Sequence, residues 1–322
     1  MRTLCPLRRP SLRPSPICFA GRSWSPPIGV GTFDHSSGSS GTASDAIWPN
    51  FDIESSVRSR VVSDNDFKDR YGPVALVTGA SSGIGKAFAE VLAAKGLDVV
   101  LAARRVDRLE ELAARVTREC HVKATALQID LAQPLAAQQM LEATRSFDVG
   151  LIVSNAGFGM KGGHAGNDPQ AMADMLMVNC NVPMQLAHGF IPRLRRRRKG
   201  GLIFTSSVEA LIGCPYSTAY SATKALVNAL GEGLWAELQP EGIDVLTLCP
   251  GATESEAAGK QGIDPGTLRN VMPADEVARL TLDNIRNGPV FFSSEYYRAN
   301  FDKLLAMPRR TALLAMAQAM KR

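Results

Sequence analysis

Short apolar runs rich in β-branched residues alternate with helical stretches from residue 71 to residue 293. Apolar runs of this kind are typical of strands that are buried on both faces of a parallel sheet. The predicted strands are residues 74–78, 98–103, 123–129, 148–154, 201–206, 243–249 and 289–293. The predicted helices include residues 86–95, 106–119, 274–287 and a mostly helical tail over 296–320. The pattern predicts a doubly wound α/β domain, with a seven-stranded parallel sheet flanked by helices on both faces.

The first 50 residues differ in composition, with nine Ser, seven Pro and five Gly. Such a mixture buries too little apolar surface to offset chain entropy, so we expect a disordered leader over 1–70, a folded domain over 71–293 and a helical extension over 294–322. Residues 1–33 hold five arginines and no acid, as in an organelle transit peptide. The prolines among them would break the helix of a mitochondrial presequence. A plastid-type transit peptide and a start codon assigned too far upstream stay open.

The formal net charge of +5 is concentrated in two places. Residues 1–33 carry +5 and residues 193–199 carry +6, so the other 282 residues sum to −6 and no broad nucleic-acid face is expected. The six cysteines are dispersed, without zinc spacing, so neither a metal site nor a disulfide framework is expected. No apolar stretch approaches the roughly 18 residues of a transmembrane helix. We expect a cytoplasmic protein, or a plastid or mitochondrial one if the leader is a transit peptide; peripheral membrane contact stays open.

A glycine-rich turn follows the first predicted strand and reads Thr78-Gly79-Ala80-Ser81-Ser82-Gly83-Ile84-Gly85. Glycines let the backbone approach a pyrophosphate, and the start of the next helix favours its negative charge. The strand–turn–helix context predicts dinucleotide binding rather than an ordinary helix cap. The spacing Gly-x3-Gly-x-Gly resembles that of the short-chain dehydrogenase/reductase family, over residues 73 to about 293. The resemblance implies a Rossmann-like catalytic domain whose cofactor contacts are Gly79, Ser81, Ser82, Gly83, Ile84 and Gly85.

The end of the second predicted strand bears on the choice of cofactor. NAD-specific members of the family usually carry an acid there, whereas this chain has Ala103 followed by Arg104 and Arg105. Guanidinium groups bind phosphate through charge-assisted hydrogen bonds, so we expect NADP(H), with Arg104 favoured as the contact to the 2′-phosphate and Arg105 as the second candidate. The further cofactor contacts that the resemblance implies are Asp130, Asn155, Ala156, Gly157, Pro250, Gly251 and Thr253. Asp130 is also a residue type that caps helices.

Tyr220 and Lys224 stand four residues apart in Tyr-Ser-Ala-Thr-Lys, so on a helix they share one face. Ser207 precedes the tyrosine by 13 residues and fits the family's serine better than Ser206 does. Each of these residues taken alone is as easily explained by a structural role as by a catalytic one. Together with Asn179 they resemble the family's catalytic set, in which the tyrosine exchanges the proton, the serine orients the carbonyl and the asparagine holds a water. We expect Lys224 and an oxidised nicotinamide to lower the pKa of Tyr220. Tyr220 and Lys224 are both expected to contact the cofactor.

The segments 158–168, 208–216 and 252–272 should shape the substrate pocket, because they follow the carboxyl ends of strands. The second offers an apolar wall and the third, with three glycines, a mobile lid; the wall residues are Leu211, Ile212, Cys214 and Pro215. These features predict an oxidoreductase for a medium-sized hydrophobic ketone, aldehyde or alcohol, similar to general carbonyl reductases and hydroxysteroid-type enzymes. Two alternatives stay open: a reductase of 3-oxoacyl groups on an acidic acyl carrier protein that docks on residues 193–199, and a catalytically silent NADP-binding sensor or scaffold. A homodimer or homotetramer is expected by resemblance.

Overall fold

The computed structural model describes residues 64–321, so the predictions made for residues 1–63 lie outside the described residues. The strands are β1 (Val74–Thr78), β2 (Asp98–Ala103), β3 (Ala124–Gln128), β4 (Val149–Ser154), β5 (Gly201–Thr205), β6 (Asp244–Cys249) and β7 (Val290–Phe292). The helices are α1 (Asp64–Tyr71), α2 (Gly83–Ala94), α3 (Val106–Cys120), α4 (Ala136–Ala143), α5 (Pro169–Leu176), α6 (Val182–Arg197), α7 (Thr218–Leu238), α8 (Ala257–Lys260), α9 (Ala274–Asp283), α10 (Glu295–Ala306) and α11 (Arg309–Met320). The predicted seven-stranded parallel sheet is confirmed, with strand order β3-β2-β1-β4-β5-β6-β7.

The sheet separates two apolar layers because successive side chains of a strand point to opposite faces. In β1, Ala75 and Val77 pack against α1, α2, α3 and α9 on one face. Val74 and Leu76 pack on the other face, in the layer that holds α4, α6 and α7. Every residue of β1 is buried, which explains why the central strands read as uninterrupted apolar runs in the sequence. The fold is Rossmann-like, with helices covering both faces.

The folded region starts earlier than the composition indicated. Residues 64–70 fall within the expected leader, yet they form most of α1. Phe67 and Tyr71 of this helix are fully buried in the first apolar layer. The Tyr71 hydroxyl donates to Asp244 Oδ2 at 2.7 Å, and Arg70 Nε donates to the same oxygen at 2.5 Å. Helix α1 is therefore part of the domain, and the expected boundary at residue 71 is corrected.

The C-terminal extension is two helices rather than one. Met307 ends α10 in an extended conformation, with ψ of 155°, because it precedes Pro308 and a proline disfavours helical geometry in the residue before it. Both helices pack on the segment after β5, where Phe301, Ala312 and Met316 form a small apolar cluster with Val208 and other residues. The extension thus covers its own domain, beside the carboxyl ends of the strands.

The carboxyl ends of all seven strands lie at one edge of the sheet, because the strands are parallel. The strand order reverses direction between β1 and β4, and a crevice at such a point is where doubly wound sheets bind their ligands. The loops after β1, β4, β5 and β6 therefore surround one region. Within residues 64–321, none of the helices combines the length and the apolar character that crossing a bilayer requires.

Candidate active site

The glycine-rich turn joins β1 to α2 at the point where the strand order reverses. Gly79 has φ of +71° and Gly83 φ of +54°, conformations that side chains with a Cβ rarely adopt. A Cβ on Gly79 would also lie 2.9 Å from the Ala156 Cα, so this glycine lets the turn pack against the segment after β4. The backbone conformation thus favours glycine at both positions, and their contact with a pyrophosphate stays a prediction.

The turn has the properties that a pyrophosphate needs. Helix α2 begins at Gly83, and the side chain of its N-cap residue, Ser82, makes no capping hydrogen bond. The N–H groups of the first helical turn therefore stay available to an anion, and the helix dipole favours negative charge there. The residues present fit a dinucleotide at this site. The chemistry of this group of donors does not by itself distinguish NAD from NADP.

Asn155 ties the turn to β4 instead of pointing away from the protein. Its Nδ2 donates to the Thr78 carbonyl oxygen at 3.1 Å, and its main-chain N–H donates to Thr78 Oγ1 at 2.9 Å. Thr205 Oγ1 of β5 donates to Asn155 Oδ1 at 3.2 Å. The Asn155-Ala156-Gly157 segment therefore joins the ends of three neighbouring strands, and Thr78 and Thr205 are partners that sequence reasoning missed.

The two arginines after β2 have different surroundings. Arg105 donates from Nη2 to Ser82 Oγ at 2.9 Å and to Ser81 Oγ at 3.0 Å, so its guanidinium lies on the glycine-rich turn. The side chain of Arg104 is exposed, and its main-chain oxygen accepts a hydrogen bond from Gln128. The contacts therefore place Arg105, and not the favoured Arg104, beside the phosphate-binding turn, while the residue that contacts the 2′-phosphate stays a prediction.

A carboxylate from the loop after β6 also reaches this place, and sequence reasoning missed it. Glu256 Oε2 lies 2.8 Å from Arg105 Nη1 and 2.7 Å from Lys260 Nζ, and Glu256 Oε1 pairs with Arg108. Hydrogen bonds from Lys260, Arg108 and Arg105 lower the pKa of Glu256 to about 2, so the group is ionised at neutral pH. The i, i+4 spacing of Glu256 and Lys260 was readable in the sequence, whereas the contact with Arg105 spans 151 positions and was not.

Asp130 follows β3 and is placed as a turn residue. Its Oδ1 accepts from the Ala132 N–H at 3.2 Å, and its Oδ2 accepts from Gln133 at 3.3 Å. The next helix begins only at Ala136 with Leu135 as its N-cap, so Asp130 shapes a turn and does not cap a helix. The two hydrogen bonds leave carboxylate lone pairs for a further donor, so the adenine contact implied by the resemblance stays a prediction.

Tyr220 and Lys224 lie one turn apart on α7, as their spacing predicts. Lys224 Nζ lies 5.7 Å from the centre of the Tyr220 ring, and Ser207 lies near enough to the tyrosine to lower its pKa. Ser206 instead donates to the Lys224 main-chain oxygen at 3.0 Å. The structure therefore brings Ser207, Tyr220 and Lys224 together at the end of β5, and it gives Ser206 a bond within the core.

The electrostatics of the pair differ from the expectation. Burial raises the pKa of Tyr220 above its usual value, and the nearby Glu209 carboxylate raises it further, whereas the bond with Ser207 lowers it. Burial lowers the pKa of Lys224 to about 8. Its Nζ donates to the Thr205 carbonyl oxygen at 2.8 Å and lies over the Tyr220 ring. Burial is the largest cause of the raised pKa of Tyr220, so the phenol is the stable form of Tyr220 in this structure.

Asn179 lies in a π-helical turn, Met177–Asn181, between α5 and α6. Its Nδ2 donates to the Phe158 carbonyl oxygen at 2.9 Å and to Thr223 Oγ1 at 3.0 Å, and its Oδ1 accepts from the Phe158 N–H at 3.0 Å. Both amide hydrogens are used, so the side chain holds the loop after β4 and offers a water no more than the remaining capacity of Oδ1. A Cβ on Gly157 would lie 3.1 Å from both Asn179 Oδ1 and Lys224 Nζ, which places these groups side by side.

The Pro250-Gly251 motif after β6 is packed against the C-terminal extension. A Cβ on Gly251 would lie 2.2 Å from the ring of Tyr297, so only glycine admits this aromatic side chain. The Tyr297 hydroxyl donates to the Arg269 carbonyl oxygen at 2.8 Å. Thr253 Oγ1 donates back to the Gly251 oxygen at 3.2 Å. Tyr297 thus fixes both ends of the segment 252–272, which we call the lid segment, and sequence reasoning missed it.

The predicted substrate segments meet around Tyr220, with a different lining from the one expected. Leu211, Ile212 and Cys214 pack against α10 and α11, so most of the predicted apolar wall is core. Nearer the tyrosine, Lys161 pairs with Glu209 at 2.7 Å. Within the described chain, Glu209 Oε2 is buried with no hydrogen-bond partner. The pocket therefore has a charged component that the sequence analysis did not anticipate.

The lid segment and the loop after β4 meet over the tyrosine. A Cβ on Gly159 would lie 2.9 Å from Gln261 Oε1 and 3.1 Å from Tyr220 Cδ2. The exposed aromatic ring of Phe158 stands next to this contact along the chain. Gln261 of the lid segment and the ring of Tyr220 therefore both approach Gly159, and the neighbouring Phe158 exposes apolar surface.

The basic run 193–199 lies far from this site. Helix α6 starts beside Asn179 and its 16 residues span about 24 Å. At its far end Arg197 bonds to Asp148 and to the Gly72 carbonyl oxygen, both of which precede strands. Arg195 pairs with Glu241 at 2.6 Å. The run therefore lies at the amino ends of the strands, so it is not the patch beside the active site on which the carrier-protein alternative depends.

Comparisons with known proteins agree with this geometry. The family described as short chain dehydrogenase matches residues 73–265. The 7beta-hydroxysteroid dehydrogenase of Clostridium sardiniense is 29% identical over 254 residues, covering 79% of this chain and 97% of that protein. A short-chain dehydrogenase from Sphingobium yanoikuyae, solved in complex with NADPH, has a TM-score of 0.68 and 34% identity over 76% of this chain and 96% of its own.

A third similar protein is the bulky-bulky ketone specific alcohol dehydrogenase from Comamonas testosteroni, with a TM-score of 0.63 and 31% identity over 76% of this chain and 94% of its own. The family match covers more than half of the chain, and it includes the glycine-rich turn, Ser207, Tyr220 and Lys224. The described residues hold no group of three or more histidine, cysteine or acidic side chains arranged as metal ligands. The chain belongs to the short-chain dehydrogenase family of oxidoreductases.

Proposed function

We propose that this protein is an NADP(H)-dependent oxidoreductase that interconverts a ketone or aldehyde and an alcohol, with Tyr220 as the general acid and base. The observation that carries the proposal is the cluster of Ser207, Tyr220 and Lys224 at the carboxyl edge of the sheet, beside a glycine-rich turn that fits a pyrophosphate. Phosphate-binding and proton-transfer groups meet at one edge. This combination supports hydride-transfer chemistry more than it supports a purely structural role for the turn or for the tyrosine, serine and lysine.

The residues divide the work of carbonyl reduction. The cofactor, when bound, supplies the hydride to the carbonyl carbon. Tyr220 donates its hydroxyl proton to the carbonyl oxygen as negative charge develops there, and takes that proton back in alcohol oxidation. Its raised pKa keeps the phenol protonated and ready to donate in the reductive direction. Ser207 donates a hydrogen bond that orients the oxygen and stabilises the developing charge.

Lys224 and Asn179 support this centre. The Lys224 ammonium stands between the tyrosine ring and the Thr205 oxygen, where it favours a phenolate after the proton has left and can bind a ribose hydroxyl. Its pKa of about 8 lets it take or release a proton near neutral pH. Asn179 positions the loop after β4 through both Phe158 backbone groups. We propose that a water bound beside Asn179 passes protons from Lys224 to solvent.

The preference for NADP(H) is proposed from the end of β2. Ala103 stands where an acid would repel a 2′-phosphate, and Arg105 lies on Ser81 and Ser82 of the turn, with the exposed Arg104 beside it. Guanidinium and hydroxyl donors together suit a phosphate. The Sphingobium relative is described as a complex with NADPH, which supports the same choice.

The proposed substrate is a medium-sized hydrophobic carbonyl compound or secondary alcohol. Phe158 supplies exposed apolar surface beside the lid contact over Tyr220. Relatives named for hydroxysteroids and for bulky ketones support this class. A homodimer or homotetramer and a cytoplasmic location stay predictions. The carrier-protein alternative loses support because the basic run lies at the opposite edge, and the intact catalytic set argues against a silent sensor.

Removing the Tyr220 hydroxyl tests the proposal. We expect Tyr220→Phe to lower kcat/KM for NADPH-dependent reduction by about 10²- to 10⁴-fold, because the proton donor is lost while the ring that packs there stays. A panel of ketones, aldehydes, steroids and acyl thioesters is followed by NADPH absorbance. Tyr296→Phe is the matched control, since its ring is exposed on α10. Equal rates for Tyr220→Phe and wild type, with NADPH affinity retained in both, would overturn the assignment.

A further inference from the structure

The start of the lid segment lies directly on the cofactor turn. A Cβ on Gly83 would be 2.9 Å from the Ser255 Cβ, so the chain after Thr253 touches the residue at which α2 begins. The next residue, Glu256, extends across to the start of α3. The loop whose Gln261 approaches Gly159, next to the Tyr220 ring, therefore also reaches the phosphate-binding turn.

The Glu256 carboxylate occupies the donors that best suit a phosphate. Arg105 bridges Glu256 and the turn, since its Nη1 lies 2.8 Å from Glu256 Oε2 while its Nη2 donates to both turn serines. Arg108 approaches the other carboxylate oxygen from one turn further along α3. Two cationic side chains and two hydroxyls thus converge on one place, and the anion at their centre belongs to the protein itself.

A phosphate and this carboxylate have the same requirements, because both are oxyanions that bind guanidinium groups in a bidentate manner. Their negative charges repel each other, so the two anions cannot share Arg105 at full strength. We propose that Glu256 is a built-in competitor of the 2′-phosphate of NADP(H): its carboxylate and the phosphate alternate on Arg105 and Arg108, so that Glu256 sets how strongly NADP(H) is preferred over NAD(H). The inference rests on the proposed use of NADP(H).

The competition affects the two cofactors differently. A 2′-phosphate reaches its donors only after the Glu256 carboxylate has left them, so its observed affinity is reduced by the fraction of time that Glu256 is bound. A ribose with a free 2′-hydroxyl does not need the guanidinium groups, and Glu256 keeps its partners. Removing the carboxylate therefore strengthens binding of phosphate-bearing ligands selectively.

The test is a calorimetric comparison of Glu256→Gln with wild type. We expect Glu256→Gln to bind NADP+ and adenosine 2′,5′-bisphosphate about five- to twentyfold more tightly, while the affinities for NAD+ and 5′-AMP change by less than about twofold. Glu254→Gln is the matched control, because Glu254 is exposed on the same segment and has no ion pair among the contacts of residues 64–321. Glu256→Ala checks that the glutamine amide does not replace the carboxylate.

Each outcome has a defined meaning. Selective tightening in both Glu256 variants, and not in Glu254→Gln, supports the competition. Unchanged affinities overturn the proposal, since the ion pairs of Glu256 then have no effect on cofactor binding. Equal tightening of all four ligands also overturns it, since Glu256 then acts only by holding the lid segment in place. If wild type and both variants bind the bisphosphate no better than 5′-AMP, the proposed use of NADP(H) fails as well. If wild type prefers the bisphosphate over 5′-AMP and Glu256→Gln shows the same preference, the competition fails while the proposed use of NADP(H) stands.

Discussion

Two groups of arginines lie at opposite edges of the same sheet and are used differently. The carboxyl-edge arginines, Arg104, Arg105 and Arg108, follow β2. The side chains of Arg105 and Arg108 bind two serines of a turn and a carboxylate on a loop. The amino-edge arginines, Arg193, Arg195 and Arg197, are held by main-chain carbonyl oxygens and by acids that flank strands. Both groups look alike in composition, so the edge of the sheet decides which of them meets a ligand.

The difference follows from the geometry of parallel strands. Loops at the carboxyl edge need not pair with one another, so their side chains can change partners when a ligand arrives. At the amino edge the arginines bind groups of the fold itself, as Arg193 does with the Leu141 and Thr144 carbonyl oxygens at the end of α4. We therefore expect changes at the carboxyl edge to alter cofactor binding, and changes at the amino edge to alter stability alone.

Among the variants that test this difference between the two edges, Arg105→Gln should have the largest effect, which is on cofactor affinity. We expect NADP+ affinity to fall by about 10- to 100-fold, because charge-assisted bonds to a phosphate are lost, while NAD+ affinity stays within about twofold. Arg104→Gln is the companion variant and should have the smaller effect, since the Arg104 side chain is exposed and has no hydrogen bond to the turn among the described residues. Both affinities are measured by calorimetry. A larger loss in Arg104→Gln would restore the preference drawn from the sequence.

The next prediction concerns how the free energy of unfolding depends on pH. Lys224, the cation of the catalytic cluster, is buried, and its ammonium bonds to a carbonyl oxygen and to no carboxylate among the described residues. The pKa of Lys224 is about 8 in the folded protein against 10.5 for an ordinary lysine, so between these values the unfolded chain binds more protons. The loss of folding stability caused by burying the charged lysine is therefore greatest below about pH 8 and declines as pH rises. Relative to Lys224→Met, wild type should gain about 2 kcal/mol in free energy of unfolding from about pH 8 to about pH 10.

Urea unfolding at the two pH values measures this gain, and Tyr220 is present in both proteins, so its own titration cancels. An amino-edge variant such as Arg197→Met should show no comparable slope, because arginine stays protonated throughout. A constant difference between wild type and Lys224→Met would mean that the lysine is not desolvated in solution.

Arg197→Met should separate stability from function. The Arg197 side chain is 12% exposed and bonds to Asp148 and the Gly72 carbonyl oxygen, so its removal leaves a partly buried acceptor without a donor. We expect a loss of about 1–2 kcal/mol in free energy of unfolding, with kcat/KM and NADP+ affinity within about twofold of wild type. Urea unfolding and steady-state kinetics measure the two quantities. A fall in NADP+ affinity with stability unchanged would contradict the proposed division between the edges.

Local patterns in the sequence predict the central fold well. The predicted bounds of β1 and β2 agree with the structure, because strands buried on both faces need unbroken apolar runs. At the exposed edge of the sheet, β7 is only Val290–Phe292, shorter than predicted. The break at Pro308 was readable from the proline, whereas the docking of α1 was hidden because its apolar residues, Phe67 and Tyr71, are few.

The candidate site was predictable where its residues share one element or one motif. Tyr220 and Lys224 share one helix, so spacing was enough. Glu256 and Tyr297 act on residues far away in the sequence, and a single sequence carries no signal for such contacts. The raised pKa of Tyr220 depends on its burial and on Glu209, which only the three-dimensional structure brings together.

The smallest effect is expected at the exposed end of the amino edge. Arg195 and Glu241 form a bidentate pair at 2.6 and 2.7 Å, but both side chains are exposed, and such pairs contribute little because water and salt screen them. We therefore expect Arg195→Gln to leave the urea midpoint, NADP+ affinity and turnover of small ketones unchanged within error. Acyl thioesters on an acidic carrier protein give the sharper measurement, since Arg195 is one of the arginines of the basic run on which a carrier would dock. If KM for such a thioester rises severalfold in Arg195→Gln while the small ketone is unaffected, the amino edge has a binding role of its own, and the contrast between the two groups of arginines breaks down.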